Sequence, residues 1–393
     1  MLPTPPALRN PEAGEARGRL LEVARVFAKL GLVGFGGPAA HVALMEDEFV
    51  RRRGWLSRER FLDLLGATNL IPGPNSTEMA IHVGHLRAGR AGLVVAGVSF
   101  ITPALLLMLG CAWAYVRYGA LPAAGGLLYG VKPVIIAVVL QALCGLGRVA
   151  TRTRAITAVG LVSLAAVAAG VHELLVLFAA GTALAAGRWA GEARARRSAA
   201  GLLPLLPLLA GAGSLGVAVP YGLVPLLLFF LKVGSVLFGS GYVLLAFLRA
   251  DLVERWGWLS EAQLLDAVAV GQLMPGPVFT TATFIGYLLG GLPGAAVSTV
   301  GIFLPAFVFV ALSGPLVPRI RRSPFAGAFL DGVNVASIAL MAVVTAQLAR
   351  AAIVDLPTGA LALAAAVLLI RFRVNSAWLV LAGGLAGVVV GLG

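Results

Sequence analysis

Charge is what this chain has least of: Asp, Glu, Lys and Arg make up only 12% of its 393 residues, about half the usual share of a soluble domain. So sparse a polar surface excludes a soluble globule, and a mean hydropathy of +0.95 points to the bilayer. Cysteine is nearly missing as well. Cys111 and Cys144 lie inside apolar runs with no CxxC or Cys/His spacing, which excludes a disulfide framework and a zinc site. Acidic residues are outnumbered 17 to 30 by basic ones. The arginines, however, sit in short clusters between apolar runs, the pattern that orients membrane proteins rather than one that binds nucleic acid. No HExxH, GxSxG or Walker sequence is present. GLVGFGG (31–37) lacks the strand and downstream acid of a dinucleotide site, so neither an enzyme nor a cofactor is expected.

What is abundant is apolar sequence in runs of membrane-spanning length. They lie near 20–45, 60–86, 90–116, 122–147, 154–170, 172–188, 202–219, 223–247, 261–288, 292–315, 326–349, 355–370 and 374–392. The fold class expected is an all-α polytopic membrane protein of about thirteen transmembrane segments. Residues 1–19 lack the apolar core of a cleavable signal and read as a disordered tail. With a cytoplasmic N-terminus most arginine clusters fall on the cytoplasmic side. Arg51, Arg52, Arg53, Arg58 and Arg60 then fall on the opposite side, against the positive-inside rule.

The chain repeats itself. FAKLGLVGFGG (27–37) matches FLKVGSVLFGS (230–240), and EFVRRRGWLSRERFLDLL (48–65) matches DLVERWGWLSEAQLLDAV (251–268); the PGP of 72–74 matches that of 275–277 at the same offset. With a slip of one residue, FITPA (100–104) then matches IFLPA (302–306) and GVKPVII (130–136) matches GVNVASI (332–338). Two homologous repeats follow, at 20–190 and 223–393, joined by a linker with an extra helix at 191–222. Six spans plus one linker span would start the second repeat from the opposite face, giving inverted topology. Re-entrant PGP segments would change that parity.

Each PGP breaks a helix begun by a serine cap, Ser57 or Ser260, and a second half-helix is expected from Asn75 or Val278 to about Arg87 or Leu288. Broken backbone at membrane depth survives only where it is buried in protein or lines a wet cavity. Asn75, Ser76 and Thr77 in one repeat, and Thr280 and Thr281 in the other, stand at the positive end of a new helix, which suits an anion. A proline kink relieved by hydroxyls is the alternative reading.

All three lysines, Lys29, Lys132 and Lys232, fall inside predicted spans, either as functional charges or as side chains snorkelling to an interface. Gly36, Gly37, Gly239 and Gly241 allow close helix approach or a further break. Glu78, with His82 one turn on, is a candidate for proton coupling, or else a helix-dipole partner. His41, His85 and His172 read as interfacial. The candidate substrate shell is therefore Lys29, Gly36, Gly37, Pro72, Gly73, Pro74, Asn75, Ser76, Thr77, Lys132, Lys232, Gly239, Pro275, Gly276, Pro277 and Thr280, with Glu78 and His82 for the proton.

At these residues the sequence resembles the chromate ion transporter family in its long two-domain form. The resemblance covers nearly everything after residue 20 and rests on FxKLGxxGFGGPxAH (27–41), RRGWLS ending at Ser57, PGPNSTEMAIHVG (72–84) and the second PGP block. It implies chromate efflux driven by the proton motive force, chromate resistance, a bacterial plasma membrane, and thirteen spans in halves of opposite orientation. The second half departs from the first, with Val278 to Thr281 (VFTT) in place of NSTE and Asn334 in place of Lys132. The expected partners are a chromate- or sulfate-like oxyanion and the lipid bilayer, with a homodimer as one allowed assembly. A sulfate or other small-oxyanion carrier is the alternative within transport; a non-transporting membrane scaffold or sensor is the alternative outside it.

Overall fold

The computed structural model describes residues 13–34, 37–119, 122–150, 153–195, 219–238, 243–321, 323–372 and 374–392. The linker segment near 202–219, residues 1–12, Gly36 and Gly239 lie outside these. The first unit comprises α1 (Ala13–Val33), α2 (Gly37–Glu46) running into a π-helical turn (Asp47–Arg52), α3 (Arg58–Thr68), α4 (Asn75–Tyr118), α5 (Pro122–Ala150), α6 (Arg154–Ala168) and α7 (Glu173–Ala195). The second repeats the series as α8 (Leu223–Val236), α9 (Leu244–Phe247) with its π-helical turn (Leu248–Arg255), α10 (Glu261–Leu273), α11 (Thr281–Arg321), α12 (Pro324–Ala352), α13 (Leu356–Arg371) and α14 (Ser376–Leu392). Among the described residues four stretches are long and apolar enough to cross a membrane: Asn75–Tyr118, Gly125–Arg148, Val278–Ser313 and Pro324–Ala352.

The capping serines act as the sequence predicts. Ser57 Oγ accepts from the Arg60 N–H, and Ser260 and Gln263 form a reciprocal capping box. At the PGP breaks Gly73 and Gly276 have φ of +136° and +93°, a backbone that side-chain-bearing residues avoid.

Neither α4 nor α11 is a single rod. The α4 backbone leaves helical angles at Ala88 and Gly89, and a Cβ on Gly84 would overlap the Gly92 carbonyl and the Ala96 side chain. On a straight helix residues 84 and 96 would stand about 18 Å apart, so the chain doubles back. α11 does the same at Gly290 and Gly291, bringing the Thr283 and Thr299 hydroxyls to 2.7 Å. Each therefore has a short limb that starts at the PGP break and a long returning limb.

The preceding segments also double back. Glu22, at the start of the apolar part of α1, pairs with Arg53 at 2.9 Å and with Arg87 at 2.9 Å, and Phe27 packs on Phe49 with ring centroids 5.2 Å apart. α1 thus runs inward, and α2 with its π-helical turn returns to the end where α1 began. In the second unit the Trp258 indole N–H donates to the Val219 carbonyl at 2.9 Å and Phe229 meets Trp256 at 5.4 Å, closing the same loop. α10 and the short limb of α11 lie at one end of α4, because Tyr115 donates to Asp266 at 2.7 Å and packs on Phe284 at 5.4 Å. In α3 and the short limb of α4, Phe61 and Leu64 share a core with Met79 and Val83.

The segments 20–45, 60–86, 223–247 and 261–288 thus double back as helical hairpins, a correction to their reading as single segments. Proline and glycine marked where the helices stop, but the direction of the next helix is set by what it packs on. A second correction follows for charge. Through its bridge to Glu22, Arg53 and the Arg51–Arg60 cluster around it lie on the side where α1 starts, not opposite it.

The long limbs of α4 and α11 pack with residue numbers running opposite ways: Leu93 clusters with Val310, and a Cβ on Gly97 would meet the Phe307 ring. The remaining helices are exchanged between units. α5 packs on α13 and α14, with Gly130 against Gly383 and Gln141 Nε2 donating to the Leu369 carbonyl at 3.2 Å. Reciprocally, α12 packs on α6 and α7, with Gly332 against the Ala180 backbone. The glycines let helix backbones touch, which replaces the hydrophobic drive that lipid does not supply.

Candidate functional site

Four hairpin tips meet at the centre. The Gly73 N–H donates to the Leu237 carbonyl at 2.8 Å, and the Gly276 N–H donates to the Gly34 carbonyl at 2.8 Å. Gly73 and Gly276 are repeat-equivalent, as are Gly34 and Leu237, so each PGP break bonds the other unit's glycine tip. Such a reciprocal exchange is the signature of a two-fold interface. A Cβ on Gly276 would stand 2.6 Å from that of Ala104, which lies fourteen residues from both Arg90 and Tyr118 on the long limb of α4. At 1.5 Å per residue the breaks therefore sit about 21 Å from either end of that limb, at its midpoint.

Most of the break residues are buried: Gly73, Pro74, Pro275, Gly276 and Pro277 fully, and Pro72 in part. Behind the first break, Ser76, Thr77 and Glu78 are no more than 3% exposed. The Asn75 amide donates sideways to Asn69 Oδ1 at 2.8 Å. The Thr77 hydroxyl and both Glu78 oxygens are buried without a hydrogen-bond partner, and the Glu78 carboxyl lies against Gly73, where a Cβ would overlap Oε1. In the second unit Thr280 and Thr281 spend their hydroxyls on their own turn, donating to the Pro277 and Val278 carbonyls at 2.8 Å. Open polar capacity is thus concentrated in the first break.

His41 is 2% exposed, not interfacial as its sequence position predicts. Its Nε2 lies 2.8 Å from the Gly34 carbonyl, which can only accept, so Nε2 donates and Nδ1, 3.2 Å from Ser76 Oγ, is left to accept from that hydroxyl. His41 thereby joins the glycine tip to the PGP tip of the same unit. A signal for it was present: His41 stands four residues after Gly37, as Glu78 stands four after Pro74. His82 is 9% exposed, with Nε2 3.5 Å from Ser313 Oγ of α11.

The lysines are placed elsewhere. Lys29 is exposed on α1. Lys132 pairs with Asp266 of α10 at 2.9 Å, and Lys232 pairs with Asp251, which Arg255 also binds. Among the described residues no hydrogen bond or ion pair joins a lysine to either break. Gly37 opens α2.

Buried chain reversals meeting halfway along an apolar helical bundle define a duplicated, multi-pass membrane protein with a polar centre. The chain belongs to the chromate transporter family, whose model matches it twice, at residues 21–185 and 224–388. It is similar to the chromate transport protein of Cupriavidus metallidurans, 33% identical over 370 residues, spanning 93% of this chain and 91% of that protein. The chromate transport protein of Pseudomonas aeruginosa is 32% identical over 375 residues, 92% of this chain and 90% of its own length. The uncharacterized transporter YwrA of Bacillus subtilis is 33% identical over 109 residues, 28% of this chain and 61% of that protein. No solved structure matches the chain.

Proposed function

We propose that this chain is a secondary carrier that exports chromate across a bacterial plasma membrane, energised by the proton motive force and conferring chromate resistance. The observation that carries the reading is the reciprocal pair of bonds, Gly73 to Leu237 and Gly276 to Gly34, at the midpoint of the long limbs. A carrier needs one site reachable from either side in turn, and an interface between repeats, built from broken helices, provides it. In this reading Pro72, Gly73, Pro74, Asn75, Ser76 and Thr77 face Pro275, Gly276, Pro277 and Thr280, and Gly36, Gly37 and Gly239 are kept as the further members that the sequence assigns to the site. Helix-end N–H groups and hydroxyls replace part of the oxyanion's hydration shell. Lys132 and Lys232, engaged by aspartates, frame the site and Lys29 lies outside it.

The topology proposed is nine crossings and four re-entrant hairpins, with the linker near 202–219 as the crossing that inverts the second unit. Because each unit contributes two hairpins, their re-entry leaves the parity unchanged. The opposed numbering of the long limbs supports this arrangement. It gathers the clusters at 51–60, 87–90, 148–154, 319–322 and 371–373 on one face and leaves Arg117, Arg249, Arg255 and Arg350 on the other. The positive-inside rule then makes the first face, with the N-terminus, cytoplasmic.

A doubly charged anion leaving a negative interior gains about 4–5 kcal/mol per 100 mV from the electrical component alone. Glu78 adds a proton: a protonated carboxyl donates to an oxyanion and a carboxylate repels it, so proton and substrate bind together. With one proton accompanying the dianion, export carries one net negative charge outward, driven by the electrical component of the proton motive force and opposed by its pH component. The test is chromate flux in proteoliposomes with membrane potential and pH gradient imposed separately. An interior-negative potential is expected to accelerate efflux and an acidic exterior to slow it; no flux under either gradient would refute the carrier.

A further inference from the structure

The short limb of α4 carries three titratable side chains at spacings of four and three: Glu78, His82 and His85. With 3.6 residues per turn they fall within about 60° of one another, on one face of the helix. Consecutive Cβ atoms then stand about 5–6 Å apart. Their burial is graded. Glu78 is 0% exposed, His82 is 9% exposed and His85 is exposed. The limb starts at the PGP break, halfway along the bundle, and ends at Arg87, which Glu22 binds where the apolar part of α1 begins. The three groups therefore form a ladder from the centre to the membrane face at which α1 enters.

The rungs have open hydrogen-bonding capacity. Both Glu78 oxygens are without a partner. His82 Nε2 lies 3.5 Å from Ser313 Oγ, whose own O–H goes to the Val310 carbonyl at 2.7 Å, so the ring donates in that long contact and Nδ1 keeps its lone pair. The elements packed on the limb bring their own polar groups. α1 brings Glu22, held by Arg53 and Arg87, and α2 brings His41, bonded to Ser76. α3 meets the limb through Phe61 and Leu64, with Glu59 and Asp63 exposed, and α11 meets it at Ser313, after which the side chains up to residue 322 lie outside the described residues. The second repeat has Thr281, Ile285 and Leu288 at the three equivalent positions, none of which titrates, so its short limb carries no such ladder.

We propose that His85 and His82 relay protons between the α1 face of the membrane and Glu78, so that the coupled proton is loaded from that face. This rests on the carrier reading, in which Glu78 holds the proton that accompanies the anion. His85 takes a proton from water and passes it to His82, and His82 gives it to the Glu78 carboxylate. Both rings are then neutral again and the carboxyl can donate to the oxyanion. Each step spans one helical turn. In the topology proposed above, the α1 face is cytoplasmic, so proton and chromate are collected from the same side.

The test uses the full chain in proteoliposomes of known orientation, at fixed membrane potential. His82→Ile, which installs the residue of the second repeat, should slow chromate flux about tenfold, an ordinary coupling for residues that act together. In a Glu78→Gln background, where no proton has to arrive, the same change should add nothing to the loss; a role in packing alone would slow both backgrounds equally. His85→Ala should slow flux less and recover when imidazole is added on the α1 face, not on the opposite one. A second readout does not depend on chromate movement. A hydrophobic carbodiimide, which modifies protonated carboxyls, should label Glu78 at a rate that follows the pH on the α1 face, read by peptide mass spectrometry, and His82→Ile should remove that dependence. Equal slowing by His82→Ile in both backgrounds, or Glu78 labelling that follows the pH of the opposite face, would overturn the relay. Absence of chromate flux in the unaltered chain would instead overturn the carrier reading, and the carbodiimide labelling would still decide the relay.

Discussion

Glu78 is the residue on which coupling turns, because its carboxyl is fully buried, lies against Gly73 and has no hydrogen-bond partner. Glutamine keeps its size and one donor but cannot exchange a proton. In the Glu78→Gln variant, potential-driven chromate flux should persist within a few-fold while its dependence on the pH gradient disappears; a wild-type pH response in that variant would remove Glu78 from the coupling. The sequence made Glu78 and the hydroxyls of the NST turn visible, since polar residues after a helix break in an apolar chain are conspicuous. It placed His41 at an interface, because the burial of that ring depends on α2 doubling back so that the imidazole meets Gly34 and Ser76. It did not place the lysines. A lysine in an apolar run declares that a partner is needed, but the partners, Asp251 and Asp266, come from helices whose approach the local sequence does not encode.

At the level of elements, local chemistry gives helix starts and stops, while the paths between them are set by packing. Ser57, Ser260 and the PGP breaks were all readable because caps and prolines act within a few residues. The doubling back of α4 and α11 depends instead on close contact between limbs, and this separates two glycines by mechanism. A Cβ on Gly89, at φ +63°, would meet nothing within 4 Å, so Gly89→Ala pays only backbone strain, about 1–3 kcal/mol. A Cβ on Gly84 would strike the Gly92 backbone and wedge the limbs apart. Thermal unfolding in detergent should therefore rank Gly84→Ala below Gly89→Ala. The opposite ranking would mean that the limbs do not touch there.

For the whole molecule, the duplication was legible from matching words at a constant offset, but the number of crossings was not, because a hairpin and a span share the same hydropathy. In the proposed topology two hairpins per unit keep the parity that one would have destroyed. Exposed, repeat-equivalent positions provide the check: Glu59→Cys and Ala262→Cys, in a background without native thiols, should react from opposite faces of the membrane. Reaction from the same face would make the units parallel. The exchange of α5 and α12 between the units also has a consequence for synthesis. The glycine face of α5 is completed only when α14, synthesised long after it, docks against it. The nascent first half must wait in the bilayer unfinished, and a chain cut short before α13 strips both halves of their closure at once.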